Sequence, residues 1–313
     1  MTGSILQTLV LILVVVIVLA AFWRYASMAA RSAESLPDRL PEPEEDRASP
    51  SGFGTPEVAL QAPPPSSEAP REWVIAAEDP LAVDVTTAIQ QGNVGRLNQL
   101  LAEHPGLARA RIAARDATRT LLHVVTDWPG HFPSGAATVV GLVAAGADVN
   151  AQVTGPHAET PLHWAASSND LEVLDALIDA GADTEMAGSV IDGGPPLADA
   201  VAFGQWRAAY RLVERGARTS LWQAAALGLM HRVNAYFDPA SAPSPEEVTN
   251  AFWFACHGGQ QPVAEFLLER GADLNWVGHN GLTPLDAAER SHAAELVEWL
   301  RSRGARSSSE LGV

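Results

Sequence analysis

"TPLHWAASSNDLEVLDALIDAGAD", residues 160–183, decides how the rest of the chain is read. A threonine ahead of a proline suits a helix start. The hydroxyl caps free backbone amides, and proline's missing N–H is no loss in the first turn. Gly181 falls 21 residues after Thr160, where a second helix must stop, and glycine takes the left-handed cap without strain. Between them, Ala165 allows close helix approach, and Leu174–Ile178 provides an apolar face. The stretch therefore predicts two short helices with a stop.

The pattern recurs. "TPLDAAERSHAAELVEWLRSRGAR" runs from Thr283, "PPLADAVAFGQWRAAYRLVERGAR" from Pro195 and "NAFWFACHGGQQPVAEFLLERGAD" from Asn250, each with Gly-Ala at the same offset. The stretch from Thr120 is the same unit, with about five extra residues around "PGHFPS". Two units are degenerate. The one from Val83 keeps Ala88 and Gly92, and the one from Thr219 keeps Ala224 and Gly228 but lacks the closing Gly-Ala. Seven units thus cover residues 81–306. A period of this length signals a solenoid whose stability is a nearest-neighbour sum.

The unit resembles the ankyrin repeat, through its Thr-Pro-Leu, Ala, Leu-Leu and Gly-Ala-Asp marks in register. The resemblance implies an all-α solenoid: two antiparallel helices per unit, a projecting finger loop and a curved stack. It implies that His123 and His163, in the Thr-Pro-Leu-His position, hold the turn by a hydrogen bond. Asp286 stands where that histidine is usual, so "HNGLTPLD" (279–286) is a finger loop and a helix start, with Gly281 turning the loop.

The resemblance also implies binding of a protein partner through the concave face and the finger tips. Register places there Asp127 and Trp128, His157 and Glu159, Ser167 and Ser168, Ala202 and Phe203, Leu227, His257, His279 and Asn280. An exposed Trp or Phe in a groove is a good anchor. Either Trp128 and Phe203 are such anchors, or Trp128 packs under the adjacent insertion and Phe203 completes the core. Trp164, Trp222, Trp253 and Trp299 fall at apolar helix positions and are expected in the core.

Composition excludes several chemistries. All twenty basic residues are Arg. A phosphate-loop lysine, a Schiff base and a lysine general base are therefore absent. The single Cys256 leaves no internal disulfide and no CxxC site. No histidine pair shows HExxH or metal-ligand spacing. "HGGQ" (257–260) resembles an esterase oxyanion loop, but no GxSxG elbow accompanies it. "GFG" (52–54) has no strand before it. No enzyme activity, cofactor, metal or small-molecule substrate is expected. The net charge of −17 disfavours nucleic acid. The repeat region, with 25 acidic residues against 15 Arg, favours a partner with a basic patch.

The first eighty residues differ in kind. Residues 1–4 form a short tail. Residues 5–23, "ILQTLVLILVVVIVLAAFW", hold only Gln7 and Thr8 as polar side chains. A helix of this length spans about 28 Å, close to the hydrocarbon thickness, with Trp23 at the interface. It is read as a single transmembrane helix. Arg24 and Arg31 follow it and none precedes it, which puts the C-terminal domain in the cytoplasm. The Arg- and Ala-rich composition fits a bacterial inner membrane. A cleaved signal peptide is the competing reading, with "ASMAA" (26–30) offering small residues for cleavage. The domain would then be exported or periplasmic, supporting envelope or oxidative-stress enzymes. Residues 24–80 carry nine prolines between Pro37 and Pro70 among Ser and acidic residues. They are read as a disordered tether with a reach of about 40 Å. Residues 307–313 are read as a disordered tail.

Overall fold

The computed structural model describes residues 73–114, 117–155, 157–238 and 242–313. The transmembrane helix expected at 5–23, and the tether as far as residue 72, lie outside them. Among the described residues, no helix is long and apolar enough to cross a membrane.

Seven helix pairs follow one another: α1 (Pro80–Gln90) with α2 (Val94–Glu103), α3 (Leu121–Thr126) with α4 (Gly135–Ala144), α5 (Pro161–Ser167) with α6 (Leu171–Asp179), α7 (Pro196–Ala202) with α8 (Trp206–Glu214), α9 (Leu221–Ala226) with α10 (Met230–Ala235), α11 (Pro245–His257) with α12 (Gln261–Leu268), and α13 (Pro284–Arg290) with α14 (Ala294–Ser302). The first helices pack side by side without a break from α1 to α13. The second helices stack in the same way from α2 through α4 and α6 to α8, and again from α10 to α12. One continuous core runs between the rows, built from small and aliphatic side chains such as Ala165, Leu174, Ala200, Ala225, Phe252 and Leu285.

The caps follow the residues that predicted them. Thr120, Thr160 and Thr283 are N-caps, each in a reciprocal box with the third residue of its helix. Gly146, Gly181, Gly216, Gly271 and Gly304 all have φ between 90° and 97°, the left-handed conformation expected after each second helix.

The fold is mostly helical but not all-α. Strand β1 (Val74–Ile75) pairs parallel with β2 (Arg111–Ala114), which pairs antiparallel with β3 (Ala117–Thr120). Thr118 continues the row by bridging to Thr154 in the next finger. Helical periodicity alone misses this, because each strand is too short to show alternation. The expected tether boundary at residue 80 is also corrected. "WVI" (73–75) departs from the Pro-rich composition before it and adds an edge strand, and Asp79 caps α1 through the Leu81 amide. The C-terminus is corrected likewise. Ser307 caps a last helical turn, α15 (Ser308–Leu311), in a box with Glu310.

Of the two degenerate units, the one from Thr219 is the shorter. Both α9 and α10 have 6 residues, and no finger separates α8 from α9. The next helix, α11, compensates by running 13 residues, capped by Ser244. Close contact there depends on Gly258, where a Cβ would overlap the Ala226 carbonyl oxygen.

Candidate partner-binding face

The two histidines of the Thr-Pro-Leu-His position are fully buried and join neighbouring units. Nδ1 of His123 accepts from the Thr120 amide (3.3 Å) and lies 2.8 Å from its hydroxyl, while Nε2 reaches the Glu159 carbonyl at 3.1 Å. His163 repeats this with Thr160 (3.1 and 2.9 Å) and the Gly194 carbonyl (3.2 Å). The arrangement needs a neutral ring with the proton on Nε2. Burial enforces this, pushing the His123 pKa down to about 3 and that of His163 to about 4. Asp286 can only accept, so its partners are donors. Oδ2 takes the Thr283 amide and hydroxyl (both 2.9 Å) and the Ser308 amide (2.8 Å). The backbone bonds hold its carboxyl below the usual range despite burial.

The five extra residues of the second unit form a braced loop. Asp127 pairs with Arg119. His131 donates its amide to Asp170 at 2.7 Å, and its Nε2 lies 3.0 Å from the Ser168 carbonyl. The Pro133 backbone sits so close to Gly92 that a Cβ there would overlap it. Trp128 stands out from this brace, 54% exposed. With more than half of its surface in solvent, it does not pack under the insertion.

The other expected positions divide. His157 is exposed and Glu159 half-buried, at the tip and base of one finger. His279 and Asn280 are exposed on another, where His279 Nε2 lies 2.9 Å from Asn250 Oδ1. Ser167 and Ser168 are half-buried, and their hydroxyls donate to the Trp164 carbonyl at 3.0 and 2.9 Å. Phe203 and Ala202 are half-buried at the end of α7. Leu227 is corrected: at 3% exposure it offers no side chain to a partner, because the short α9 draws it into the core. His257 is enclosed by Trp206 (ring centroids 5.1 Å) and Trp253 (5.4 Å, stacked), and burial lowers its pKa to about 4. His279 closes the same aromatic group edge-on to Trp253 at 5.0 Å, its pKa also lowered by burial. Of the tryptophans expected in the core, Trp253 is buried and donates to the Leu282 carbonyl at 2.9 Å. Trp164, Trp222 and Trp299 are half-buried at its margin.

Two further residues escaped the sequence reading. Val190, exposed on the finger between α6 and α7, lies in a loop whose length varies from unit to unit. Asp199 on α7 is fully buried, with Oδ1 accepting from the Ser189 hydroxyl at 2.5 Å. Burial pushes its pKa up to about 7. A lone aspartate after "PPLA" carries no motif that would have flagged it.

Family models agree with this geometry at two places. One, described as "Ankyrin repeat", matches residues 158–188, and another, "Ankyrin repeats (3 copies)", matches residues 221–310. No curated protein matches the chain. The chain carries ankyrin repeats, and such repeats point to a protein–protein interaction role.

Proposed function

We propose that the chain is a membrane-tethered scaffold that captures a protein partner on the face carrying Trp128 and the finger tips around His157 and His279. The observation that carries this reading is Trp128: a large aromatic, 54% exposed, on a loop pinned by the Arg119–Asp127 and His131–Asp170 contacts. A rigid exposed aromatic costs little to immobilise and gains much on burial. Acidic residues outnumber Arg over 81–306, which favours a basic patch on the partner. The apolar run at 5–23 supports the tether and the inner-membrane location, and a tether would concentrate the partner at the bilayer. The mechanism is noncovalent and needs no cofactor.

The test is site-specific photo-crosslinking in the native host. The crosslinking amino acid replaces Trp128 in one sample and Val140 in another; Val140 is exposed on the outer helix α4. The proposal expects a protein adduct from position 128 and none from position 140. Equal adducts from both, or an adduct only from position 140, would reject it.

A further inference from the structure

The finger between α12 and α13 carries a dipeptide with chemistry of its own. Asn280-Gly281 is the sole Asn-Gly pair in the chain. Both residues are exposed and both are left-handed, with φ of 55° and 69°. Tight left-handed turns favour this pair. The Asn280 side chain makes no hydrogen bond among the described residues. By contrast, Asn93, Asn150, Asn169, Asn250 and Asn275 each engage theirs. Asn98 and Asn234 lie within helices, where the following amide is taken up by the helical ladder.

There is room around Gly281, because a Cβ built there would meet nothing within 4 Å. Its amide donates to the Gly278 carbonyl at 3.2 Å, and the Leu282 amide to the His279 carbonyl at 3.1 Å. Both bonds lie at a tip whose residues 279–281 are all exposed. Water can replace such bonds, so the turn opens at little cost. Opening turns the Asn280 ψ away from 25° and brings the Gly281 nitrogen toward Cγ of Asn280. No side chain on glycine shields that nitrogen.

We propose that Asn280 is a site of spontaneous covalent modification. The Gly281 nitrogen loses its proton to base and attacks Cγ of Asn280. A new C–N bond closes a succinimide ring, the Cγ–Nδ2 bond breaks, and Nδ2 leaves as ammonia with a proton from water. Water then opens the ring. Addition at the side-chain carbonyl gives aspartate, and addition at the main-chain carbonyl gives isoaspartate. The step needs only water and base. Either product sets a negative charge beside His279. Isoaspartate also adds a methylene to the main chain, next to the residue that reaches Asn250. The tip belongs to the face proposed above, yet the reaction requires no partner and stands whether or not that face binds one.

The finger before α7 supplies an internal control. Asp192-Gly193 has the same backbone, with φ of 53° and 66°, and open space at Gly193. A carboxylate there replaces the amide and is a far weaker electrophile.

The experiment incubates the full-length chain at mildly alkaline pH in heavy-oxygen water. Digestion at acidic pH and mass spectrometry with electron-transfer fragmentation then locate the label. The expected result is a gain of one heavy oxygen at position 280, mostly as isoaspartate, ahead of position 192 and of every other asparagine. Gly281→Ala should slow the gain about tenfold or more, since a Cβ shields the attacking nitrogen. Asn280→Gln, whose longer side chain must close a larger ring, should abolish it. The folded chain should react within about tenfold of the urea-unfolded chain, as an exposed turn opens readily. No gain at position 280, an equal gain at the other asparagines, an unchanged rate in Gly281→Ala, or a larger protection by folding would overturn the proposal.

Discussion

At the scale of single residues, one geometric position is filled in two chemical ways. His123 and His163 each accept from their own cap through Nδ1 and reach the next unit's carbonyl through Nε2. Asp286 has no proton to give, and its onward partner is instead an amide, that of Ser308. His163→Ala should therefore cost about 2–4 kcal/mol, the sum of lost hydrogen bonds and a buried void. A urea titration would show this as a lower midpoint with an unchanged slope. pH tests the same groups. His123, His163 and His257 have folded pKa values of about 3, 4 and 4, below the unfolded value near 6.5. Their contribution is complete above pH 6.5 and is lost as pH falls from there toward 3–4, because the unfolded chain binds the extra protons. Asp199 works in the opposite sense. Its folded pKa is raised to about 7, so its contribution is present below about pH 4 and is lost as pH rises to 7. Asp199→Asn should thus gain stability relative to wild type between pH 4 and 7, by on the order of 2–4 kcal/mol. A difference independent of pH would show that Asp199 does not carry its proton in the folded state. The cap histidines could be read from Thr-Pro-Leu-His. Asp199 could not, since its setting depends on Ser189, ten residues upstream in a finger that has no motif.

At the scale of elements, helix ends were the readable feature. Thr160-Pro161 and Thr283-Pro284 mark starts, and Gly181 and Gly304 mark stops, because capping is local chemistry. The small sheet was not readable. Val74–Ile75 gains its partner only when Arg111–Ile112, some forty residues on, folds beside it. The shortened fifth pair was visible as a missing Gly-Ala, but its consequence, the burial of Leu227, required the packing. Gly258 shows how tight that packing is. Its φ of −84° is ordinary, so its role is close approach to Ala226 rather than backbone freedom. Gly258→Ala should cost about 2–3 kcal/mol by forcing α9 and α11 apart. Gly271→Ala meets open space and pays only for its positive φ, about 1 kcal/mol. Thermal melts of the two variants check the difference, and equal losses would mean the α9–α11 contact yields without cost.

At the scale of the whole molecule, stability is shared among neighbours and function falls to the surface the stack leaves open. The number of units and their order were legible because the period repeats. Surface exposure was legible only in part: Trp128 and His157, expected at the surface by register, are exposed, whereas Leu227, expected there too, is buried. On the proposed reading, the stack sets where a partner is held, and exposed side chains such as Trp128 set which partner it is. The tether reading has its own check. With the domain in the cytoplasm, a C-terminal alkaline phosphatase fusion should be inactive, and an active fusion would put the domain on the far side of the membrane. The measurement that bears most directly on the central claim is partner capture from native lysate by the full-length chain, wild type beside Trp128→Ala, with both melting curves recorded. The account predicts a partner retained by wild type and bound at least about tenfold more weakly by the variant, as for an aromatic anchor, with the melting temperature unchanged. A partner held equally by both chains would contradict it.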